Sequence, residues 1–181
     1  SISRPPCDRC ALWKASLLTI SATDALWFLP FVLPICLYVA YTDMALMKIT
    51  NKAVILLALV FVVLGFFLLP FDVYLWRLAA LLIVLAVGVV LNAAGVLGAG
   101  DAKFAAAAAP YIALGDLRLL ISLFMVTLLA AVVAHKGAKY SPLRRMAPEW
   151  VSWEQTKKFP MGLALGPTLA IYLILGALYG A

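Results

Sequence analysis

The stretch LNAAGVLGAGDAKFAAAAAP, from Leu91 to Pro110, interrupts a chain that is otherwise almost entirely apolar. Within it, GAGDAK places two glycines, an aspartate and a lysine between two apolar segments. The apolar runs on either side are continuous and do not alternate, which is typical of membrane helices and not of a membrane β-barrel. The stretch therefore predicts that one membrane helix ends here and that a short one begins with an ionisable carboxylate, Asp101.

The composition of the whole chain also indicates a membrane protein. Of the 181 residues, 66% are hydrophobic and 12% are charged, whereas soluble domains are about half apolar and one quarter charged. A soluble fold cannot cover so much apolar surface, so the bilayer must be the solvent. The net charge of +6 is explained by loop charges that set the orientation in the membrane, and no nucleic-acid partner is expected.

The pattern of apolar segments predicts the fold. We expect an all-α membrane protein, a six-transmembrane-helix bundle with a short fourth helix that starts at the GAGD motif. The segments cover approximately residues 25–42, 53–70, 74–97, 102–114, 117–134 and 159–179. Residues 1–24 are predicted to be an interfacial or extracytoplasmic segment without a cleavable signal peptide, and residues 25–181 one membrane domain. Residues 135–158 are predicted to be its cytoplasmic loop.

Lysine and arginine residues predict the orientation, because cytoplasmic loops carry an excess of both. Alternate loops place five of them on one side, together with the acids Asp72 and Asp116, and nine on the other. The side with nine is therefore predicted to be cytoplasmic. Its residues are Lys48, Lys52, Lys103, Lys136, Lys139, Arg144, Arg145, Lys157 and Lys158.

Two carboxylates, Asp43 and Asp101, are predicted to share the cytoplasmic depth of the membrane. The fourth segment has roughly 13 residues, or about 20 Å of helix, which is shorter than a hydrocarbon core of about 30 Å. Asp101 is therefore expected slightly below the interface, where an acid is costly and commonly functional. Singly, Asp101 can be interpreted as a helix N-cap after a glycine turn, and Asp43 as an interfacial acid paired with Lys48.

Together, the two acids are what an aspartic protease requires. Two carboxyls held about 3 Å apart cannot both ionise, so one keeps a proton and the pair titrates as a unit. The ionised group then activates a water while the protonated group polarises the scissile carbonyl. Gly98 and Gly100, which have no side chains, let a substrate backbone approach Asp101 closely.

At these residues the sequence resembles the type IV prepilin peptidases and the archaeal preflagellin peptidases, which are membrane aspartic proteases of the GxGD type. GAGDAK (98–103) fits their GxGD-x-K pattern. DMALMKITN (43–51) resembles their first-aspartate motif, with Thr50 in place of a proline. KFPMGLALG (158–166) resembles the opening of their last helix. The resemblance covers roughly residues 25 to 180.

The resemblance implies an activity and its residues. Family members remove the basic leader from prepilins or pseudopilins at the cytoplasmic face of the inner membrane, and the freed subunits enter pilus or secretion-system assembly. Asp43 and Asp101 are implied to be the catalytic pair, and Gly98 and Gly100 the substrate-facing loop. Lys103 matches the family lysine, with either a site role or the role of an interfacial lysine. No cofactor or metal is implied.

The sequence departs from the large bacterial members of this family. Those carry two C-x-x-C pairs in a domain between the first two helices and also N-methylate the product, whereas here too few residues separate Thr42 from Asn51. We therefore expect a peptidase without methyltransferase activity, similar to the compact peptidases of Flp/Tad-type pili. The single pair Cys7 and Cys10 is expected to be free or disulfide-bonded, and Cys36 to be a packing residue.

Three other interpretations stay open at this point. One is an intramembrane protease of the presenilin and signal-peptide-peptidase type, although that group has about nine spans and a P-A-L motif. Another is a small transporter that uses the acids as a proton relay, although no repeated halves are visible. The third is a structural membrane subunit. In the long loop, four basic residues are expected to bind anionic lipids, and Glu149 or Glu154 to face the leader. The alternative is a solvated loop whose positive charge only sets the orientation. The four basic residues are Arg144, Arg145, Lys157 and Lys158.

Overall fold

The computed structural model describes residues 18–140 and 160–181, and in those residues the protein is an all-α bundle. Two short 3-10 turns, Ala109–Tyr111 and Leu114–Asp116, separate the fourth and fifth helices. The α-helices of the described part are α1 (Ala22–Leu46), α2 (Asn51–Leu68), α3 (Phe71–Ala93), α4 (Ala99–Ala108), α5 (Leu117–Tyr140) and α6 (Gly162–Tyr179).

Five of these helices are long and apolar enough to cross a membrane, which makes the chain a multi-pass membrane protein. They are α1, α2, α3, α5 and α6. The remaining helix, α4, has 10 residues and is not one of the five. It is nevertheless packed inside the bundle, since Phe104, Ala106 and Ala107 are all buried.

The helix bounds differ from the predicted segments mainly at polar ends. The α1 helix runs through Pro30 and Pro34 and continues past Thr42 to Leu46. The α5 helix continues to Tyr140, so the first residues of the predicted 135–158 loop are helical. Hydropathy marks where the apolar stretch stops, but a helix continues as long as its backbone hydrogen bonds are made.

The centre of the bundle is built on close contact between α1 and α6. A Cβ atom added to Gly166 would lie 2.7 Å from the carbonyl oxygen of Cys36, so only glycine allows the two backbones to approach this closely. Membrane helices pack in this way because small residues bring their backbones together. Cys36 is 1% exposed and packs in the core, as expected.

The short helix α4 is held against α3 by another close contact. A Cβ atom on Gly88 would lie 2.9 Å from the Cβ of Ala102. After α4, the hydroxyl of Tyr111 donates a hydrogen bond of 2.7 Å to the carbonyl of Leu57 in α2. The position of α4, and therefore of Asp101 near its start, is set by contacts along its whole length.

A buried carboxylate closes the opposite end of the bundle. Asp116 is 4% exposed and accepts hydrogen bonds from the backbone and hydroxyl of Thr19, at 2.7 and 2.8 Å. It also accepts bonds from the Ile20 amide at 3.1 Å and the Tyr172 hydroxyl at 2.9 Å. Asp116 therefore links the residues just before α1 to α6. The sequence predicts only a position in a short outer loop for Asp116, whereas the structure shows a buried residue that holds two parts of the bundle together.

Candidate active site

A cavity of about 760 Å³ lies where the end of α1 meets the starts of α4 and α6. The turn between α1 and α2, including Lys48, and the loop before α4 complete its wall. Both Asp43 and Asp101 line this cavity. The two carboxylates that the sequence places at one depth therefore face one common space.

Asp43 lies near the end of α1 and is 5% exposed. Its Oδ2 atom accepts a hydrogen bond of 2.6 Å from the backbone N–H of Gly162, and the Leu163 amide also donates to the carboxylate. These two amides belong to the first turn of α6, where the helix dipole favours a negative charge. The alternative partner, Lys48, makes no ion pair with Asp43 among the described residues. Asp43 is held by α6.

Asp101 is the third residue of α4 and lies outside the five candidate membrane spans. The residue at the N-cap position is Gly98, so the interpretation of Asp101 as an N-cap is wrong. Burial, followed by the charge of Asp43, raises the pKa of Asp101 to about 6. The two carboxyls are therefore electrostatically coupled, and Asp101 holds its proton more tightly than an exposed aspartate does.

The two glycines of the GAGD motif make room for atoms of the chain itself. A Cβ atom on Gly98 would lie 2.6 Å from Oδ2 of Asp101. A Cβ atom on Gly100 would lie 3.2 Å from the Cβ of Ile49, in the turn after α1. A side chain at position 98 would displace the carboxylate, so glycine at this position leaves the room that the Asp101 carboxylate occupies. Close approach of a substrate at these glycines stays a prediction.

Gly162 is a site residue that the sequence reasoning did not assign. A Cβ atom there would lie 2.9 Å from Oδ2 of Asp43 and 3.0 Å from its Cβ and Cγ atoms. Only glycine at this position lets the carboxylate reach the amides at the start of α6. The available signal was a glycine directly after Pro160 and Met161 at the predicted start of the last helix.

The sequence model of the type IV leader peptidase family matches residues 30–135 of the chain. The chain belongs to the type IV leader peptidase family. The matched range contains Asp43, Asp101 and the complete GAGDAK motif. No curated protein and no solved structure shows significant similarity to the chain. Membership makes this protein a membrane protease of the leader peptidase kind.

In this leader peptidase, Lys103 lies beside the candidate site and not in its cavity. Its side chain is exposed, and Nζ donates a hydrogen bond of 3.2 Å to Oδ1 of Asn51 at the start of α2. The bond joins the first-aspartate motif to the GAGDAK motif. Lys103 therefore connects two elements that carry the site, and the geometry gives it no contact with either carboxylate.

Among residues 18–140 and 160–181, no group of three or more His, Cys, Asp or Glu side chains is arranged to hold a metal ion. The pair Cys7 and Cys10 lies outside the described residues. The loop residues expected to bind lipids or the leader also lie outside them, as do the first two residues of the KFPMGLALG motif. Their predicted roles stay predictions.

Proposed function

We propose that this protein is an aspartic endopeptidase that removes the basic leader from prepilin-like or pseudopilin precursors at the cytoplasmic membrane face. Cleavage would release the subunit for assembly of a pilus or secretion system. One observation carries the proposal: Asp43 and Asp101 come from different helices, line one cavity, and are coupled by charge. Membership of the leader peptidase family supports the substrate class.

The surroundings of the two acids suggest a division of roles. The amides of Gly162 and Leu163 donate hydrogen bonds to the Asp43 carboxyl group, an arrangement that suits the group that takes a proton from the attacking water. The raised pKa of Asp101 suits the group that donates a hydrogen bond to the scissile carbonyl. As the tetrahedral intermediate collapses, a proton passes to the leaving amine and the pair returns to its singly protonated state.

The distribution of charge supports the proposed orientation. Lys48 lines the cavity and Lys103 lies beside it, whereas Arg77 and Asp116 lie toward the other end of the bundle. Cytoplasmic ends of membrane helices carry the excess of lysine. We place the cavity on the cytoplasmic side of the inner membrane, with the part of α4 that follows Asp101 and the 3-10 turns as the short sixth membrane element.

The connection between α1 and α2 supports the compact form of the enzyme. Only residues 47–50 separate the two helices, and they turn directly beside the cavity. No additional domain fits there. We therefore propose cleavage without methylation of the new N-terminus, as in the Flp/Tad-type resemblance.

The proposal is tested by leader removal from a prepilin by wild type, Asp43→Asn and Asp101→Asn in nanodiscs. Each substitution should lower kcat by about 10² to 10⁴, because each removes a group that transfers or holds a proton in the reaction. Asp72→Asn is the matched control, since Asp72 is an exposed acid in the first turn of α3. Near-normal cleavage by either catalytic variant refutes the pair. A wild type that cuts no pilin-like precursor refutes the function.

A further inference from the structure

A lysine lies in the wall of the cavity that holds the two acids. Among the described residues that line this cavity, Lys48 is the only one with a basic side chain. The Lys48 side chain is exposed and makes no hydrogen bond or ion pair with the described part of the chain. The sequence offered Asp43 as its partner, and the structure does not form that pair. The ammonium group of Lys48 is therefore available to a ligand that enters the cavity.

The turn that carries Lys48 is held by both of the elements that carry the acids. On one side, Met47 has a φ of 53°, and its amide donates a hydrogen bond of 3.0 Å to the carbonyl of Asp43. On the other side, a Cβ atom added to Gly100 would lie 3.2 Å from the Cβ of Ile49, and Gly100 directly precedes the second acid. Lys48 lies between these two contacts, so its backbone position is tied to the positions of the acids.

The size of the cavity brings the charge of Lys48 within range of a group bound between the acids. A sphere with the cavity volume of about 760 Å³ has a radius of about 6 Å, so a group on the wall lies about that far from the centre. This distance is shorter than the Debye length of about 8 Å at physiological ionic strength. Lysine also carries its charge on a flexible four-carbon stem, so the ammonium group can move to meet a charge at the centre.

Hydrolysis creates a negative charge in the cavity that the intact substrate does not carry at its scissile bond. The peptide bond is neutral, whereas its cleavage by one water yields a carboxylate at the end of the leader and an ammonium group on the released subunit. A free α-carboxyl group has a pKa of about 3.5, so it is ionised at neutral pH. The two acids repel this new carboxylate, and the ammonium group of Lys48 attracts it.

We propose that Lys48 forms a subsite for the C-terminal carboxylate of the cleaved leader. The inference rests on the proposed function, which places the new end of the leader between the two acids. A lysine that only sets the orientation can lie anywhere at the cytoplasmic interface. Lys52 has such a place, since it is exposed in the first turn of α2 and does not line the cavity. The ion pair with Lys48 slows release of the leader, which makes the leader a product inhibitor.

The binding test compares two leader peptides that differ only in their last group. Both are acetylated, arginine-rich and end in glycine; one has a free carboxylate and the other a C-terminal amide. Their Kd values are measured in nanodiscs of neutral phosphatidylcholine, because anionic lipids would bind a basic peptide. Lys48→Met should raise the ratio of the carboxylate Kd to the amide Kd about fivefold, the upper range for an exposed ion pair. Lys52→Met is the matched control and should leave this ratio unchanged. The amide peptide corrects for any general loss of binding.

A carbodiimide crosslink gives a second readout that does not depend on turnover. The reagent activates the leader carboxylate, and an adjacent lysine amine then forms an amide with it while the reagent leaves as a urea. Mass spectrometry should find the leader joined to Lys48 and not to Lys52. An unchanged ratio in Lys48→Met, an equal rise in Lys52→Met, no binding of either peptide, or equal coupling to both lysines would overturn the inference. If wild type cuts no pilin-like precursor, the proposed function fails, and the dependence of the ratio on Lys48 still decides whether the cavity binds a peptide carboxylate.

Discussion

Replacing Gly162 with alanine tests whether the start of α6 positions the Asp43 carboxylate. The added Cβ would lie 2.9 Å from Oδ2 and 3.0 Å from Cγ of Asp43. Carbon atoms in favourable contact are separated by about 3.5 Å or more, so the carboxylate must move by roughly 0.5 Å. The movement also stretches the hydrogen bond of 2.6 Å from the Gly162 amide.

The expected loss of catalytic rate follows from this displacement of the Asp43 carboxylate. A misplacement of about 1 Å in a reacting group costs about 100-fold in rate. The displacement of roughly 0.5 Å expected here should therefore cost about tenfold in rate. Weakening a hydrogen bond to a charged group adds a further loss of similar size. We expect kcat to fall about 10- to 100-fold, or roughly 1.4 to 2.7 kcal/mol in activation free energy. KM should change little, because Gly162 does not line the cavity that holds the two acids.

The assay is steady-state leader cleavage in nanodiscs, with the thermal midpoint measured on the same samples. Gly137→Ala in α5 is the control, since a Cβ there meets no atom within 4 Å. That control should keep full activity and gain about 0.5 to 1 kcal/mol of stability from the higher helix propensity of alanine. If folded Gly162→Ala cleaves at the wild-type rate, the position of Asp43 does not depend on α6.

Three further outcomes are expected. Burial and the charge of Asp43 raise the pKa of Asp101 from 3.8 to about 6. The protonated Asp101 carboxyl therefore stabilises the folded protein fully below about pH 4, and this contribution is lost as the pH rises through 6. The thermal midpoint should fall across that window, and Asp101→Asn should flatten the fall. Tyr172→Phe removes the hydroxyl that donates to Asp116, so it should cost about 1 to 3 kcal/mol of stability with unchanged kcat. Met47→Gly should add about 1 kcal/mol to stability, because Met47 has a φ of 53°; a lower thermal midpoint would contradict this.

Local patterns in the sequence account for much of the fold. Continuous apolar runs identify the long helices. Because successive membrane helices end on alternate sides, the order of the helices predicts Asp43 and Asp101 on the same side of the membrane. The helix predicted to start at the GAGD motif begins at Ala99, three residues before the apolar segment predicted from about Ala102, because the glycines and Asp101 are not apolar. In the structure Gly98 alone is the extended cap, with φ −66° and ψ 142°, and helical geometry begins at Ala99.

The parts that escaped prediction depend on contacts between distant residues. The hydrogen bond from Gly162 to Asp43 joins positions 119 apart, and no local pattern near either residue indicates the other. Asp116 has the sequence neighbourhood of a loop acid near Arg118. Its burial follows from Thr19 and Ile20, which lie nearly 100 positions earlier. Such pairings become visible only when the helices are assembled.

The close contact of Gly166 with Cys36 gives the protein a natural probe of its own opening. Cys36 is 1% exposed, its backbone carbonyl contacts Gly166 in α6 and its thiol interacts with Tyr111, so an alkylating reagent reaches the thiol only when α1 separates from the elements around it. In a background with Cys7 and Cys10 replaced by serine, the labelling rate would measure how often that separation occurs. Asp43 lies on the same helix, α1, and is bonded to the start of α6, so this thiol reports, without substrate, how often the helix that carries Asp43 leaves its packed position.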